Sequence, residues 1–452
     1  MYGLDGITGI SKKSLFVSIY AISKISYSIN MNYVTDNSEI QNSLLERFIK
    51  YVKIWSESNS EKAEAGVMPS EEREFDLAKQ LAAELTVMGL QAVQTTEHCY
   101  TYAFLPASKG FENIPAVCFL AHIDTVEEVT GKNVNPMIHP EYDGTVIDLQ
   151  CGVQHNPEYD EALAQAAKNR ETIITTDGTT LLGADDKAGV AAIMTCIQYL
   201  VEHPEIKHGK IEIIFSPDEE TGHGMDKVPL KLMESKSAYT VDGGHIGELE
   251  TECFNAYGAS IKFTGKSCHT GDARKGGMIN AISMASRFVE SLPSNQRPET
   301  TWGKEGFFAV MEIKGSIENS EVSLLLRDFT ETGMQERIAT VKALAEAAAL
   351  SFGGKTSYSF KEQYRNMKSV MDKHPAVVEN LVAAYIASGI EPIFVPIRGG
   401  TDGSRLTEMG IPTPNIFTGG HNYHGRYEWC SLQQMSKCCD VLINLAKKIA
   451  EK

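Results

Sequence analysis

Basic side chains are in short supply: 42 Lys+Arg stand against 59 Asp+Glu in 452 residues, a formal net charge of -17. That balance excludes general electrostatic capture of DNA, RNA or an anionic membrane, each of which needs a basic face. Cysteine is sparse and scattered. The nine thiols include one adjacent pair, Cys438 and Cys439, but no CxxC and nothing approaching a disulfide framework, so the chain reads as reduced and cytoplasmic. Long hydrophobic runs are missing too. The best stretch, SLFVSIYAISKISYSIN at 14–30, is broken by Ser, Lys and Asn and lacks a cleavage site. It makes a poor membrane span and a poor signal peptide, and residues 1–41 read as an N-terminal extension, with Met31 as an alternative start. Internal repeats and low-complexity tracts are absent, as are the GxSxG elbow, the P-loop and the Rossmann glycine fingerprint.

What is present is a globular composition, 42% hydrophobic and 22% charged, long enough for two to three domains at about 150 residues each. From Asn42, Leu44, Phe48, Tyr51, Val52 and Trp55 recur at helical spacing, and a second helix runs from about Ser70 to Gly89. Short apolar runs then read as buried strands: AVCFLA (116–121), LLGA (181–184), KIEIIF (210–215) and AYTV (238–241), with a helix from about Lys187 to His203. Helices alternating with buried strands predict an α/β domain with a mostly parallel central sheet. From about Phe254 to Met367 the order changes to β-α-β-β-α-β, the split βαβ pattern of a ferredoxin-like domain. The expected organisation is a catalytic domain over 42–253 and 368–452, interrupted by an inserted lid over 254–367.

Five clusters of chemically competent residues fall at predicted strand ends, where open α/β sheets place their ligand crevices. AHIDT carries His122 and, two positions on, Asp124, a spacing at which the carboxylate can hold the imidazole by its second nitrogen. GADDKAG carries Asp185 at a helix start, SPDEETG carries Glu219 and Glu220, TVDGG carries Asp242, and GGHNYHGRYE carries His421, His424 and Glu428. Each alone is compatible with a solvated acidic loop or a helix-dipole partner. Together they bring His, Asp, Glu, Asp and His to one rim without a thiolate. Such a donor set suits zinc, manganese or cobalt and exceeds what one tetrahedral ion takes, so two cations sharing a carboxylate fit better. A hydroxide between them would balance the charge and provide a nucleophile at neutral pH.

In order along the chain, AHIDT, LLGADDKAG, SPDEETG, VDGG, SCHTG, IRGGTDG and NYHG resemble the peptidase T family of tripeptide aminopeptidases. These lie within a larger group of dinuclear-zinc aminopeptidases, carboxypeptidases and aminoacylases, and the resemblance runs from about Asn42 to the C-terminus. It implies a zinc-binding α/β domain with a ferredoxin-like lid that often mediates homodimerisation. It also implies two Zn2+ per subunit, one held by His122, Asp185 and Asp242, the other by Glu220 and His424, with Asp185 bridging. Co2+ or Mn2+ are expected substitutes. Glu219 is then the general base that takes a proton from the metal-bridging water, and Asp124 orients His122. Between the two nearby histidines, the YHG match selects His424 over His421.

The resemblance extends beyond the metal cluster. His269 in SCHTG would stabilise the tetrahedral oxyanion, Arg327 in LLLRDF and Arg398 in IRGGTDG would bind the C-terminal carboxylate of a short peptide, and Asn280 in GGMINA would contact substrate. As residues, His269 is equally an exposed turn histidine, either Arg a structural ion pair, and Asn280 a helix residue. With the acidic rim anchoring the substrate ammonium, the site would select peptide length. A dipeptidase, carboxypeptidase or aminoacylase keeps the same metals with another substrate. A silent binding protein would lack a ligand or the base, and an RNA-binding lid would need stacking aromatics that its strands do not carry.

Overall fold

The structure is a computed structural model that describes residues 38–451; the apolar stretch at 14–30 and all but the end of the expected extension lie outside the described residues. Helix α1 (Ser38–Val52) begins four residues before the apolar periodicity suggests and buries Ile40, Leu44, Phe48, Tyr51 and Val52, a stripe at i, i+4, i+8 spacing. Helix α2 (Glu74–Val87) follows, then β1 (Gln91–Thr95), β2 (Thr101–Leu105) and β3 (Val117–His122). Helix α3 (Ala184–Glu202) precedes β4 (Ile211–Ser216), β5 (Ala238–Gly243) and β6 (Glu248–Cys253). The next four strands are β7 (Asn255–Thr264), β8 (Phe307–Gly315), β9 (Asn319–Asp328) and β10 (Lys355–Tyr364), interleaved with α4 (Ala281–Ser291) and α5 (Glu331–Phe352). The chain ends with α6 (Pro375–Ala387), β11 (Ile393–Ile397), β12 (Asn415–Phe417) and α7 (Leu432–Ala450).

Eight strands form one mixed sheet in the order β1-β2-β4-β3-β5-β12-β6-β11. Its centre, β4-β3-β5-β12, is parallel. The central strands are buried on both faces, which is why AVCFLA reads as a continuous apolar run rather than an alternating one, and why IEIIF departs from one only at Glu212. Helix α3 lies across β3 and β5, with α1 and α7 packed on it. The approach is close: a Cβ at Gly189 of α3 would lie 1.9 Å from the Val241 carbonyl oxygen of β5, so only glycine seats the helix there. On the opposite face Tyr100, Tyr102, Cys118, Leu120 and Ile214 pack under Met225, Met233 and Leu406.

The β7–β10 segment folds as the sequence pattern predicts. Its sheet order, β8-β9-β7-β10 with all pairs antiparallel, is that of a ferredoxin-like fold, and α4 and α5 cover one face. Along β9, Val322, Leu324 and Leu326 alternate inward against Met284, Phe288, Met334 and Val341. Burying side chains of this size contributes about 1.5–3 kcal/mol each, enough for a core independent of the large sheet.

Two readings need correction. LLGA is not a strand: the N–H groups of Leu182, Gly183 and Asp185 donate to the Glu428 carboxylate instead of to a neighbouring strand, leaving a buried irregular segment. A short apolar run does not distinguish these two fates. The strand of that region is Ile173–Thr175, which lies between Met137–His139 and Trp429–Ser431 in a separate four-stranded sheet completed by Gly420–His421. The second correction concerns Asn280, which stands at the N-cap of α4, accepting the Ile282 N–H at 2.9 Å, rather than within the helix.

One buried carboxylate ties the sheet to its covering loop. Glu212 of β4, fully buried, accepts the Tyr102 hydroxyl, the N–H groups of Glu234 and Ser235, and the Ser235 hydroxyl, with Lys210 Nζ 3.3 Å away. Burial raises its pKa, but these donors outweigh it and hold the carboxyl below its ordinary value of 4.5. Its folded pKa is therefore depressed, so its stabilisation is present above pH 4.5 and is lost as pH falls through the folded pKa. Glu212→Gln is expected to lower unfolding free energy by about 2 kcal/mol at neutral pH. The gap to wild type should narrow in urea melts below pH 4; an unchanged midpoint at pH 7 would refute it.

Candidate metal centre

Parallel strands end together, and this brings the first ligand candidates to one rim. His122 is the last residue of β3, directly beside Ser216 at the end of β4, and Asp242 lies near the end of β5, on the other side of β3. After β4 the chain makes a single tight turn, entered through Asp218 at φ 56°, which presents Glu219 and Glu220. Asp185 stands at the start of α3 with non-helical φ -84° and ψ 105°, which takes its side chain off the helix. His424, at φ 61°, comes from the loop that joins Gly420–His421 to Trp429–Ser431.

The five side chains converge as two overlapping groups. His122 Nε2 lies 2.9 Å from Asp185 Oδ1 and 3.6 Å from Asp242 Oδ1. His424 Nε2 lies 3.1 Å from Asp185 Oδ2 and 3.2 Å from Glu220 Oε2. Asp185 belongs to both, one oxygen facing each imidazole, and within each trio the candidate donor atoms lie within 4.8 Å of one another. The set is nitrogen and oxygen without sulfur, the chemistry of a divalent cation such as zinc, manganese or cobalt. A second observation agrees: Glu220 Oε1 is buried and has no hydrogen-bond partner, a charged atom that a cation would satisfy.

The local electrostatics carry the mark of crowded, desolvated carboxylates. Burial pushes Glu219 well above the ordinary carboxylate range, opposed by His122 and assisted by Asp242, Asp402 and Glu220. Burial likewise pushes Glu220 up to about 8 and Asp242 up to about 6. Asp185 goes the other way: burial raises it, yet hydrogen bonds with His122 and His424 outweigh that and hold it below its ordinary value. Asp402, hydrogen-bonded by the Ser216 hydroxyl, is pushed up to about 7 by burial.

A surrounding set of polar groups fixes these side chains. Asp124, fully buried, has Oδ1 3.2 Å from His122 Nδ1 and accepts the N–H groups of Glu219 at 3.0 Å and Glu220 at 3.1 Å. It therefore orients the imidazole and the Glu219–Glu220 turn together, a wider task than the HxD spacing predicts. Asp186 accepts the N–H of His122 at 3.2 Å. Glu428 accepts three N–H groups of the segment leading to Asp185; burial pushes its carboxyl up to about 7 against the pull of those donors. Sequence reasoning assigned Glu428 no role. Asp218, equally unassigned, accepts the Ser70 N–H while its own N–H donates to Glu74, bracing the Glu219–Glu220 turn from the α2 side.

His421 lies apart from both groups. It is buried, stacked at 3.9 Å on Trp429, with Nε2 3.0 Å from the Gln434 amide oxygen. The other substrate-binding candidates do not join the centre either. His269 is exposed, its Nδ1 accepting the Gly271 N–H. Arg327 of β9 lies over the Tyr364 ring, 5.5 Å from its centroid, and donates to the Leu326 carbonyl. Arg398 donates to the carbonyls of Gly303 and Glu305 and to the Thr301 hydroxyl while lying over Phe254 and Phe307.

Residues 171–448 match the model of peptidase family M20/M25/M40. The chain is 45% identical over 408 residues to peptidase T of Clostridium perfringens (strain 13 / Type A), covering 90% of this chain and 99% of that one. Three solved structures share the fold. They are aminopeptidase PepT of Bacillus cereus ATCC 10987 (TM-score 0.70, 23% identity, 91% and 99% coverage) and a tripeptidase of Staphylococcus aureus subsp. aureus mu50 (0.72, 20%, 91% and 99%). The third is a dinuclear metal-binding M20 peptidase of Bacillus subtilis (0.62, 14%, 91% and 99%). The chain belongs to peptidase family M20/M25/M40 and, within it, to the metallo-aminopeptidases of the peptidase T family.

Proposed function

We propose that this chain removes the N-terminal residue from tripeptides at two divalent cations, His122, Asp185 and Asp242 holding one and Glu220 and His424 the other, with Asp185 between them. The observation that carries this reading is the Asp185 carboxylate, whose two oxygens face His122 and His424 separately. Zn2+ is the proposed occupant of both positions, Co2+ and Mn2+ its substitutes. Bound there, the cations supply Lewis acidity and a water acidic enough to ionise at neutral pH.

Glu219 takes the proton from the attacking water and delivers it to the leaving amine. Its placement suits the task, because Asp124 fixes its backbone N–H while its buried side chain holds a proton more tightly than an exposed glutamate does. At the substrate's two ends, the acidic rim receives the free ammonium, and Arg327 and Arg398 receive the terminal carboxylate. Arg398 must first exchange its bonds to Thr301, Gly303 and Glu305, so substrate binding loosens that contact. His269 and Asn280 complete the lid's share, His269 stabilising the oxyanion once the lid closes. The lid spans 254–367 and the catalytic part 42–253 and 368–452, with 1–41 as an extension.

Edge strand β8 exposes Val310, Met311 and Ile313, which supports a homodimer through the lid. All nine cysteines are free and no helix among the described residues is long and apolar enough to cross a membrane, which supports a cytoplasmic peptidase.

Three outcomes test the reading. Glu219→Gln should reduce kcat by at least about 100-fold while leaving both cations bound, as metal analysis will show. His424→Ala should lose one metal equivalent and His421→Ala none; the reverse would reassign the ligand. Mass spectrometry of the zinc-loaded protein with a tripeptide, its N-acetyl form, and the matching dipeptide and tetrapeptide should find only the first residue released, and only from the free tripeptide. Cleavage of the acetylated form or loss of the last residue would point to an aminoacylase or carboxypeptidase.

A further inference from the structure

We infer that Glu428 is a positioning residue for both cations: its carboxylate holds the Leu182–Asp185 turn through three backbone N–H groups and thereby sets the carboxylate that the two positions share. The inference rests on the dinuclear reading above and concerns a residue that contributes no metal-facing atom. Glu428 is 1% exposed. Its Oε2 accepts the N–H groups of Leu182 and Gly183, each at 2.7 Å, and its Oε1 accepts the N–H of Asp185 at 3.1 Å. Leu182 and Gly183 are buried, so without the carboxylate their N–H groups would face neither water nor a strand.

Two longer backbone hydrogen bonds also hold the turn, from the Lys187 N–H to the Gly183 carbonyl at 3.3 Å and from the Leu181 N–H to the Thr130 carbonyl at 3.2 Å. Asp185 lies outside helical geometry at the mouth of α3, and Gly183 sits at φ 78°, where side chains are rarely tolerated. Glu428, by contrast, is firmly held. It immediately precedes Trp429, which pairs with Thr175, is fully buried against His421 and donates its indole N–H to Asp160 at 3.0 Å. His424 lies four residues upstream on the same loop. One residue thus ties the segment bearing Asp185 to the segment bearing His424, which are 239 positions apart in the chain. Because Asp185 faces both trios, an error in its placement weakens both positions at once, whereas loss of an unshared ligand weakens one. Outer carboxylates of this kind typically govern metal affinity by about 10–100-fold.

The test is a Co2+ titration of metal-free full-length protein, followed by calorimetry and by the visible absorption of the bound ion. The proteins are wild type, Glu428→Gln, Glu428→Asp and, as a buried carboxylate remote from the turn, Glu212→Gln. Gln keeps the shape but replaces one accepting oxygen with a donor that opposes the backbone N–H groups. Wild type should bind two equivalents. Glu428→Gln should weaken both by about 10–100-fold and alter the cobalt spectrum, while its metal-free circular dichroism stays that of the wild type and Glu212→Gln keeps wild-type affinity. If Glu428→Gln does not fold, Glu428→Asp, whose carboxylate is withdrawn by one methylene, carries the comparison with the same expected direction. Wild-type affinities and spectrum in the Glu428 variants, loss at only one position, or an equal loss in Glu212→Gln would overturn the inference. Failure of wild type to bind two equivalents would instead remove the dinuclear reading, and this inference with it.

Discussion

Carboxylates withdrawn from water repel one another strongly, and the rim of the large sheet concentrates several of them, among them Asp124, Asp185, Asp186, Glu219, Glu220, Asp242 and Asp402. Positive charge there comes from the imidazoles of His122 and His424 and from the buried Lys187, whose Nζ donates to the Ile54 carbonyl at 2.8 Å and which interacts electrostatically with Glu428 and Asp124. Burial first, and repulsion between carboxylates after it, pushes Glu219, Glu220, Asp242 and Asp402 upward. Left uncompensated, such a cluster is destabilising. On the proposed dinuclear reading, two divalent cations would supply the compensation, held by His122, Asp185, Asp242, Glu220 and His424.

The fold meets this constraint by dividing the labour. The parallel centre of the sheet delivers His122, Asp242 and the Glu219–Glu220 turn to one edge, because parallel strands end on the same side. Asp185 and His424 come from irregular segments; Glu428 holds the first by accepting its backbone N–H groups, and Asp124 does the same for the Glu219–Glu220 turn. Gly189 lets α3 lie directly on β5, which fixes the helix from which Asp185 departs. The lid supplies a separate core and carries Arg327, while Arg398 comes from the chain after the lid and reaches back to Thr301, Gly303 and Glu305.

Sequence patterns revealed much of this and missed the rest for identifiable reasons. His122 and Asp242 were legible because each closes a continuous apolar run, and the β-α-β-β-α-β order was legible because β7 and β9 alternate cleanly against two amphipathic helices. LLGA misled because burial alone does not reveal where N–H groups go, and here they go to Glu428, more than 240 residues away. β6 was missed because ELETEC is polar on one face, its Glu250 hydrogen-bonded by Asn415, and β11 because IFVPI carries a proline that only an edge position tolerates. The engagement of Arg398 with Thr301, Gly303 and Glu305 had no local signal, since those partners lie nearly a hundred residues upstream.

The central claim is that Asp185 is shared between two cations. Anomalous diffraction from zinc-loaded crystals addresses it directly. Two peaks about 3.5–4 Å apart, one beside His122 and Asp242, the other beside Glu220 and His424, with an Asp185 oxygen on each, are the expected result. A single peak, or a pair lying away from Asp185, would contradict it.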